Sequence, residues 1–162
     1  MQSFLENMGL SASLAGDISL LAFLAIGSLL LGFVIGRFRL IHLLLHIYIA
    51  YVCVEVFRFL VATFLYGEIF VFVGVLFLLT FLGDRLFDIH ARASVYGWMA
   101  TFFLGFLVSG LLIAIFLHFL PASSMIWNFF SSRGPGYFTD PWMSVFWFLA
   151  PLGFLLFVNS KR

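Results

Sequence analysis

Polar positions interrupt this chain so rarely that the intervals between them carry the first signal. Apolar runs cover residues 18–36, 40–60, 69–82, 97–120 and 142–158. A helix needs about 20 predominantly apolar residues to cross the hydrocarbon of a bilayer. The first, second and fourth runs meet that length directly. The third is short and reaches it through the apolar stretch 59–66 or by tilting. The fourth closes at Pro121, and the fifth contains Pro151 together with Trp142 and Trp147, a residue type favoured where helices meet the interface. Lipid offers backbone N–H and C=O groups no partners, so spanning runs bond internally as helices. The pattern therefore predicts an all-α polytopic transmembrane helix bundle, with five spans and four as the minimum. The expected divisions are a short extracytoplasmic segment 1–17, a four-span core 18–120, an aromatic Gly- and Pro-containing loop 121–141, and a fifth span with a basic C-terminus, 142–162.

Composition agrees with that pattern. Of 162 residues, 64% are hydrophobic and only 9% charged, against about half and about a quarter in soluble domains. Mean hydropathy is +1.19. A net charge of +1 gives no basic surface for nucleic acid. The single cysteine, Cys53, leaves no internal disulfide and no CxxC motif. Residues 1–17 hold no Lys or Arg, unlike the basic start of a cleaved signal, so the first run reads as a retained span.

The cations set an orientation. Arg37, Arg39, Arg85, Arg92, Lys161 and Arg162 fall in alternate connections, while the other side holds only Arg58 and Arg133. Excess Lys and Arg mark cytoplasmic connections. A multi-pass inner (plasma) membrane protein follows, with its C-terminus cytoplasmic and its N-terminus outside. That alternation requires five spans. Within the connection 121–141, Gly134-Pro135-Gly136 interrupts any helix, and Met125, Ile126, Trp127, Phe129 and Phe130 suit a segment lying in the interface. Residues 1–15 have the makings of a short amphipathic helix on the outer surface.

Two rows of small residues stand out. Ala25, Ser28, Gly32 and Gly36 recur in the first span, and Gly97, Thr101, Gly105 and Ser109 recur every four residues in the fourth. Small residues let helix backbones approach closely in lipid. The rows imply packing within one bundle first, and a homo-oligomer or a membrane partner protein second.

The second span carries most of the chemistry. At 100° per residue, His42, His46 and Cys53 share one face, and Tyr48, Tyr51, Glu55 and Arg58 share the opposite one. Polar groups on both faces fit a helix enclosed by others. Glu55 and Arg58, spaced i,i+3, are placed to pair; the pair is a helix fastening or part of an ion path. His42 and His46 have the i,i+4 spacing of a metal-binding helix, but a closed zinc site takes four ligands. His118 belongs at the opposite end of its span and His90 in a connection, so no metal or cofactor is expected. Residues 83–92, GDRLFDIHAR, interleave Asp84, Arg85, Asp88, His90 and Arg92 as a solvated end would. Ser and Thr lack a partnered base, so no catalytic residues are expected and no enzyme is predicted.

Gly36-Arg37-Phe38-Arg39 at the first turn, Gly83-Asp84-Arg85-Leu86 after the third span, and Gly97, Gly105 and Gly110 in the fourth resemble the colicin V production protein family. The likeness covers about residues 18–120. The chain departs from the family in a connection of roughly ten residues between Arg85 and Gly97 and in the further apolar span after 121–141. The resemblance implies a non-enzymatic accessory or assembly role in toxin production, export or envelope upkeep, with the bilayer as surroundings. The alternative is a small channel or transporter with an ion path near Glu55 and Arg58.

Overall fold

A computed structural model describes residues 12–34, 39–61, 64, 66–86, 98–120 and 136–160. Six helices occupy them: α1 (Ala12–Val34), α2 (Arg39–Val61), α3 (Gly67–Leu86), α4 (Trp98–Phe119), the single turn α5 (Gly136–Thr139) and α6 (Pro141–Ser160). No strand occurs among the described residues. Three segments are long and apolar enough to cross a membrane: Arg39–Leu60, Met99–Phe119 and Pro141–Val158. Two apolar segments are shorter, Leu20–Gly32 and Gly67–Gly83.

Most helix limits fall within a residue or two of those expected, the ordinary scatter of such boundaries. Two helices differ. Helix α1 begins at Ala12, ahead of Ile18, and so takes in part of the segment expected as an extracytoplasmic tail. Helix α3 gains its length beyond Leu82, to Leu86, and not from the stretch 59–66, which is divided between the end of α2 and the turn. Residues 1–11 lie outside the described residues. So does 121–135, including the interfacial segment and the Gly134-Pro135 pair. Gly136, which follows, opens α5, a helical turn the sequence pattern did not indicate.

The start of α6 follows from Asp-Pro. Asp140 Oδ1 accepts the Trp142 N–H at 2.9 Å and its carbonyl accepts the Ser144 N–H at 2.8 Å. This is an N-cap, with Pro141 in the first helical position, where a missing N–H costs nothing. Between α2 and α3 the chain reverses in a tight turn, Gly67 N–H bonding Phe64 O at 3.0 Å. The two helices consequently lie side by side.

Two cores hold the bundle. The larger joins Leu40, Leu43, Leu44, Ile47, Ala50 and Val54 of α2 to Phe72 of α3 and to Leu104, Val108, Leu111, Ile115 and Phe119 of α4. The smaller joins Leu24 of α1, Ala114 and Leu117 of α4, Phe138 of α5 and Trp147 of α6. Helix α4 belongs to both, and every other helix touches it. Outer faces of α1, α3 and α6 carry exposed large apolar side chains, among them Phe23, Phe70, Phe77, Phe81 and Leu156. Those are the faces a bilayer would cover.

Candidate functional site

The chemistry-bearing side chains gather in three places. The first is the end of the bundle where α2 ends, α3 begins and α4 ends. Arg58 Nε lies 3.2 Å from Glu68 Oε1, and Arg58 Nη1 lies 3.6 Å from Glu55 Oε2. The other oxygen of Glu55 lies 3.7 Å from His118 Nε2. Tyr51 lies one turn before Glu55 on the same helix. Its ring packs 5.7 Å from Phe119 and 4.7 Å from Phe148. One guanidinium and one imidazole thus meet two carboxylates across three helices.

The position of each charge has a local reason. Arg58 and His118 sit in the last turns of α2 and α4, and Glu68 in the first turn of α3. The signs of Arg58 and Glu68 complement the partial charges at their own helix ends, and the tight turn at Phe64–Gly67 brings Glu68 beside Arg58. The arrangement fastens helices. Arg58 is half-exposed, which suits a long side chain reaching from apolar surroundings to water. Beneath the cluster lie the buried apolar side chains Val54, Ala50, Ile47, Ile115 and Leu111, with the half-buried Tyr51 and Tyr48 packed against them and the Tyr48 hydroxyl bonded to the Phe148 carbonyl.

Glu55 and Arg58, the pair singled out by spacing, are therefore together in space. Glu68 and His118 were not foreseen as their partners. Helix-end position offered a partial signal for both, but nothing in the sequence says which ends meet.

The second place is the face of α2 toward α3. His46 is buried, and its imidazole lies so close to Gly83 that a Cβ there would stand 2.8 Å from Nε2. Only a glycine admits the ring at that depth. His42, one turn away, has a buried Nε2 that takes no hydrogen bond from the described residues. No group of three or more His, Cys, Asp or Glu able to hold a metal occurs among the described residues. The side chains of Asp84, Asp88 and His90 lie outside them.

The third place is the seam between α1 and α4. A Cβ on Gly105 would stand 2.9 Å from Ser28 Oγ and 3.1 Å from Ser28 O, so the backbones approach as closely as glycine permits. Ser28 Oγ donates to Phe102 O at 2.8 Å. Ser109 Oγ bonds back to Gly105 O at 2.9 Å, keeping its hydroxyl within α4 while facing Gly27. The two small-residue rows meet here through Ser28, Gly105 and Ser109. Ala25 and Thr101 are half-buried, Gly32 faces open space, and Gly36 and Gly97 lie outside the described residues. Gly27, which was on neither row, is part of the contact.

Below this seam opens an apolar cleft of about 470 Å³, lined by Phe23, Leu30, Leu31, Leu112 and Phe116 among others. On the opposite side of α4, the Trp147 indole lies directly on Gly110, and its Nε1 donates to Tyr137 O at 2.9 Å. Gly105 and Gly110, two of the glycines behind the family resemblance, are thus both positions of close approach. Compared with protein-family models, with curated proteins and with solved structures, the chain matches none.

Proposed function

We propose that the chain is a five-span inner-membrane protein without a reaction centre, which works as an accessory or assembly factor through helix contacts. One observation carries this reading. Where α2 ends and α3 begins, Arg58 is spent on Glu55 and Glu68, and the fully buried side chains of α2 beneath it, Val54, Ala50 and Ile47, are apolar. Charges in hydrocarbon are costly unless paired, and here the pairing joins helices and leads nowhere. The broad apolar outer faces of α1, α3 and α6 then supply the surface for lipid and for other membrane helices.

In this reading α1 and α3 cross as well as α2, α4 and α6, with the C-terminus cytoplasmic and the Arg58 cluster at the outer interface. The link to toxin production or export rests on the quoted motifs alone. The rival, an ion path through Glu55 and Arg58, requires a polar route past the apolar Val54, Ala50 and Ile47. The hydroxyl-bearing side chains of α2 below Glu55 are Tyr51, whose ring packs on Phe119 and Phe148, and Tyr48, whose hydroxyl is bonded to the Phe148 carbonyl.

Single cysteines test the reading in membranes. A cysteine at Gly32, whose face is open, is expected to crosslink to a second copy or to another membrane protein. A cysteine at Phe64 is expected to react with an impermeant reagent added outside intact cells, and one at Arg162 only after lysis. Failure of the Gly32 crosslink would remove the helix-contact role. Flux through liposomes that vanishes in Glu55→Gln, with folding intact, would install the rival in its place.

A further inference from the structure

The apolar cleft between α1 and α4 has walls, a depth and two ends that together describe an occupant. On α1 the wall is Phe23, Leu30 and Leu31 around Gly27. On α4 it begins at Ser109 and runs to Leu120. Phe23 and Leu30 are exposed, so the cleft opens outward from the bundle. Its one polar side chain, Ser109, spends its hydroxyl on the Gly105 carbonyl at 2.9 Å. The walls therefore offer a ligand no charge and no free donor or acceptor, only hydrocarbon.

The depth is that of one leaflet. Ser109 stands at the midpoint of the span Met99–Phe119, and Leu120 lies just past its end. Over those residues a helix rises about 16 Å, about half of a hydrocarbon core roughly 30 Å thick. The Leu120 end lies at the end of the bundle that carries His118 and the half-exposed Arg58, and so meets the interface. One turn before Ser109, α1 and α4 close on each other at Ser28 and Gly105, where the backbones meet.

These limits separate the candidate occupants. A second membrane-crossing helix would have to run on past Gly105, where no groove continues. A polar ligand would find nothing to bond. An acyl chain enters from the interface, needs only apolar walls and ends at mid-depth. Walls left without a neighbour forfeit the dispersion contacts they could make, and in a bilayer the neighbour at hand is a lipid tail.

We propose that the cleft is a lipid site, seating one acyl chain of a phospholipid from the leaflet at the Leu120 end, with its terminal methyl toward Ser109. The seated chain continues the packing that Ser28 and Gly105 begin and extends the hold of α4 on α1. The site stands independently of the accessory role proposed above.

Photolabelling of the full chain in nanodiscs tests the site. The discs are palmitoyl-oleoyl phosphatidylcholine, a small fraction of it carrying a diazirine at the methyl end of the saturated chain. Labelled residues are located by peptide mass spectrometry. Phe77, exposed at the middle of α3, reports ordinary lipid contact at matching depth. Labelling around Leu112 is expected to exceed that at Phe77 severalfold. Leu30→Trp adds bulk at the exposed mouth and should bring it down to the Phe77 level. Leu29→Trp adds the same bulk at an exposed neighbour outside the cleft and should leave it unchanged. Equal labelling at Leu112 and Phe77 in the unaltered chain would overturn the proposal. So would an excess that survives Leu30→Trp, or one that both tryptophans remove. Leu30→Cys, in a Cys53→Ser background, that crosslinks to a second protein molecule in native membranes would give the cleft to a helix and overturn it as well.

Discussion

Helices α4 and α6 are both long, continuous and apolar, yet 50% of the α4 span is buried in the protein and only 11% of the α6 span. In water such a difference would follow from hydrophobicity. In a bilayer it does not, because lipid chains are as apolar as leucine and give a helix no reason to prefer protein to oil. What separates the two helices is shape. Helix α4 presents Gly105 and Ser109 toward α1, Gly110 toward Trp147 and Ala114 into the smaller core, so neighbours approach it on several sides. Helix α6 presents Trp142, Val145, Phe146 and Leu149 outward, and none of them is covered. Small residues, more than apolar ones, mark the centre of this bundle.

Trp147 and Pro151 are the buried positions described on α6, and Trp147 gives the largest expected effect. It is nearly buried, fills the notch above Gly110 and holds α5 through its indole N–H. Trp147→Ala is expected to cost about 3–5 kcal/mol, the range for deleting a buried aromatic, measured by reversible unfolding in detergent. A cost near zero would mean that α6 gains nothing from its closest contact with α4.

The contrast sharpens with one substitution made on both helices. Gly105→Leu forces a side chain into Ser28 and its backbone, and should destabilise by about 1–3 kcal/mol or separate α1 from α4 altogether. Gly153→Leu meets open space and should stay within about 0.5 kcal/mol of the parent. Equal losses at the two glycines would undo the claim that closeness of approach distinguishes the helices.

Much of this was legible from residue spacing. Ser28, Gly105 and Ser109 lay on rows that the spacing of small residues exposed, and the apolar run from Trp142 placed the start of α6 within a residue. What the rows could not say was that they face each other, or that Gly27 joins them from the neighbouring position. Nor could they pair Gly110 with Trp147, since that contact is fixed by how α6 returns across α4. The cluster at the α2 end divides in the same way. Glu55 and Arg58 were readable because i,i+3 is a property of one helix, whereas Glu68 and His118 enter through the packing of three.

That cluster permits a smaller test. Glu68→Gln removes the closer carboxylate partner of Arg58, and Glu55→Gln removes the link to His118. Exposed ion pairs contribute about 0.2–1 kcal/mol, and each loss should shrink as salt is raised. A loss insensitive to salt would place these groups deeper in hydrocarbon than the interface. Compared with Gly105→Leu, both changes should leave the α1–α4 contact intact.

The smallest expected effect lies inside the closest seam. Ser28→Ala deletes a hydrogen bond to the Phe102 carbonyl yet keeps the small volume that lets Gly105 approach. The carbonyl loses only a second donor, because it lies in the body of α4 and retains its own helical N–H. Interhelical hydrogen bonds in membranes average about 0.6 kcal/mol, so the loss should be close to that value. Ser28→Leu, which adds volume at the same point, should behave like Gly105→Leu. If alanine proved as damaging as leucine, the seam would be held by its hydroxyl and not by the fit of its backbones. The distinction between α4 and α6 would then have to be rebuilt on polar contacts, which α6 also makes through Trp147 and Phe148.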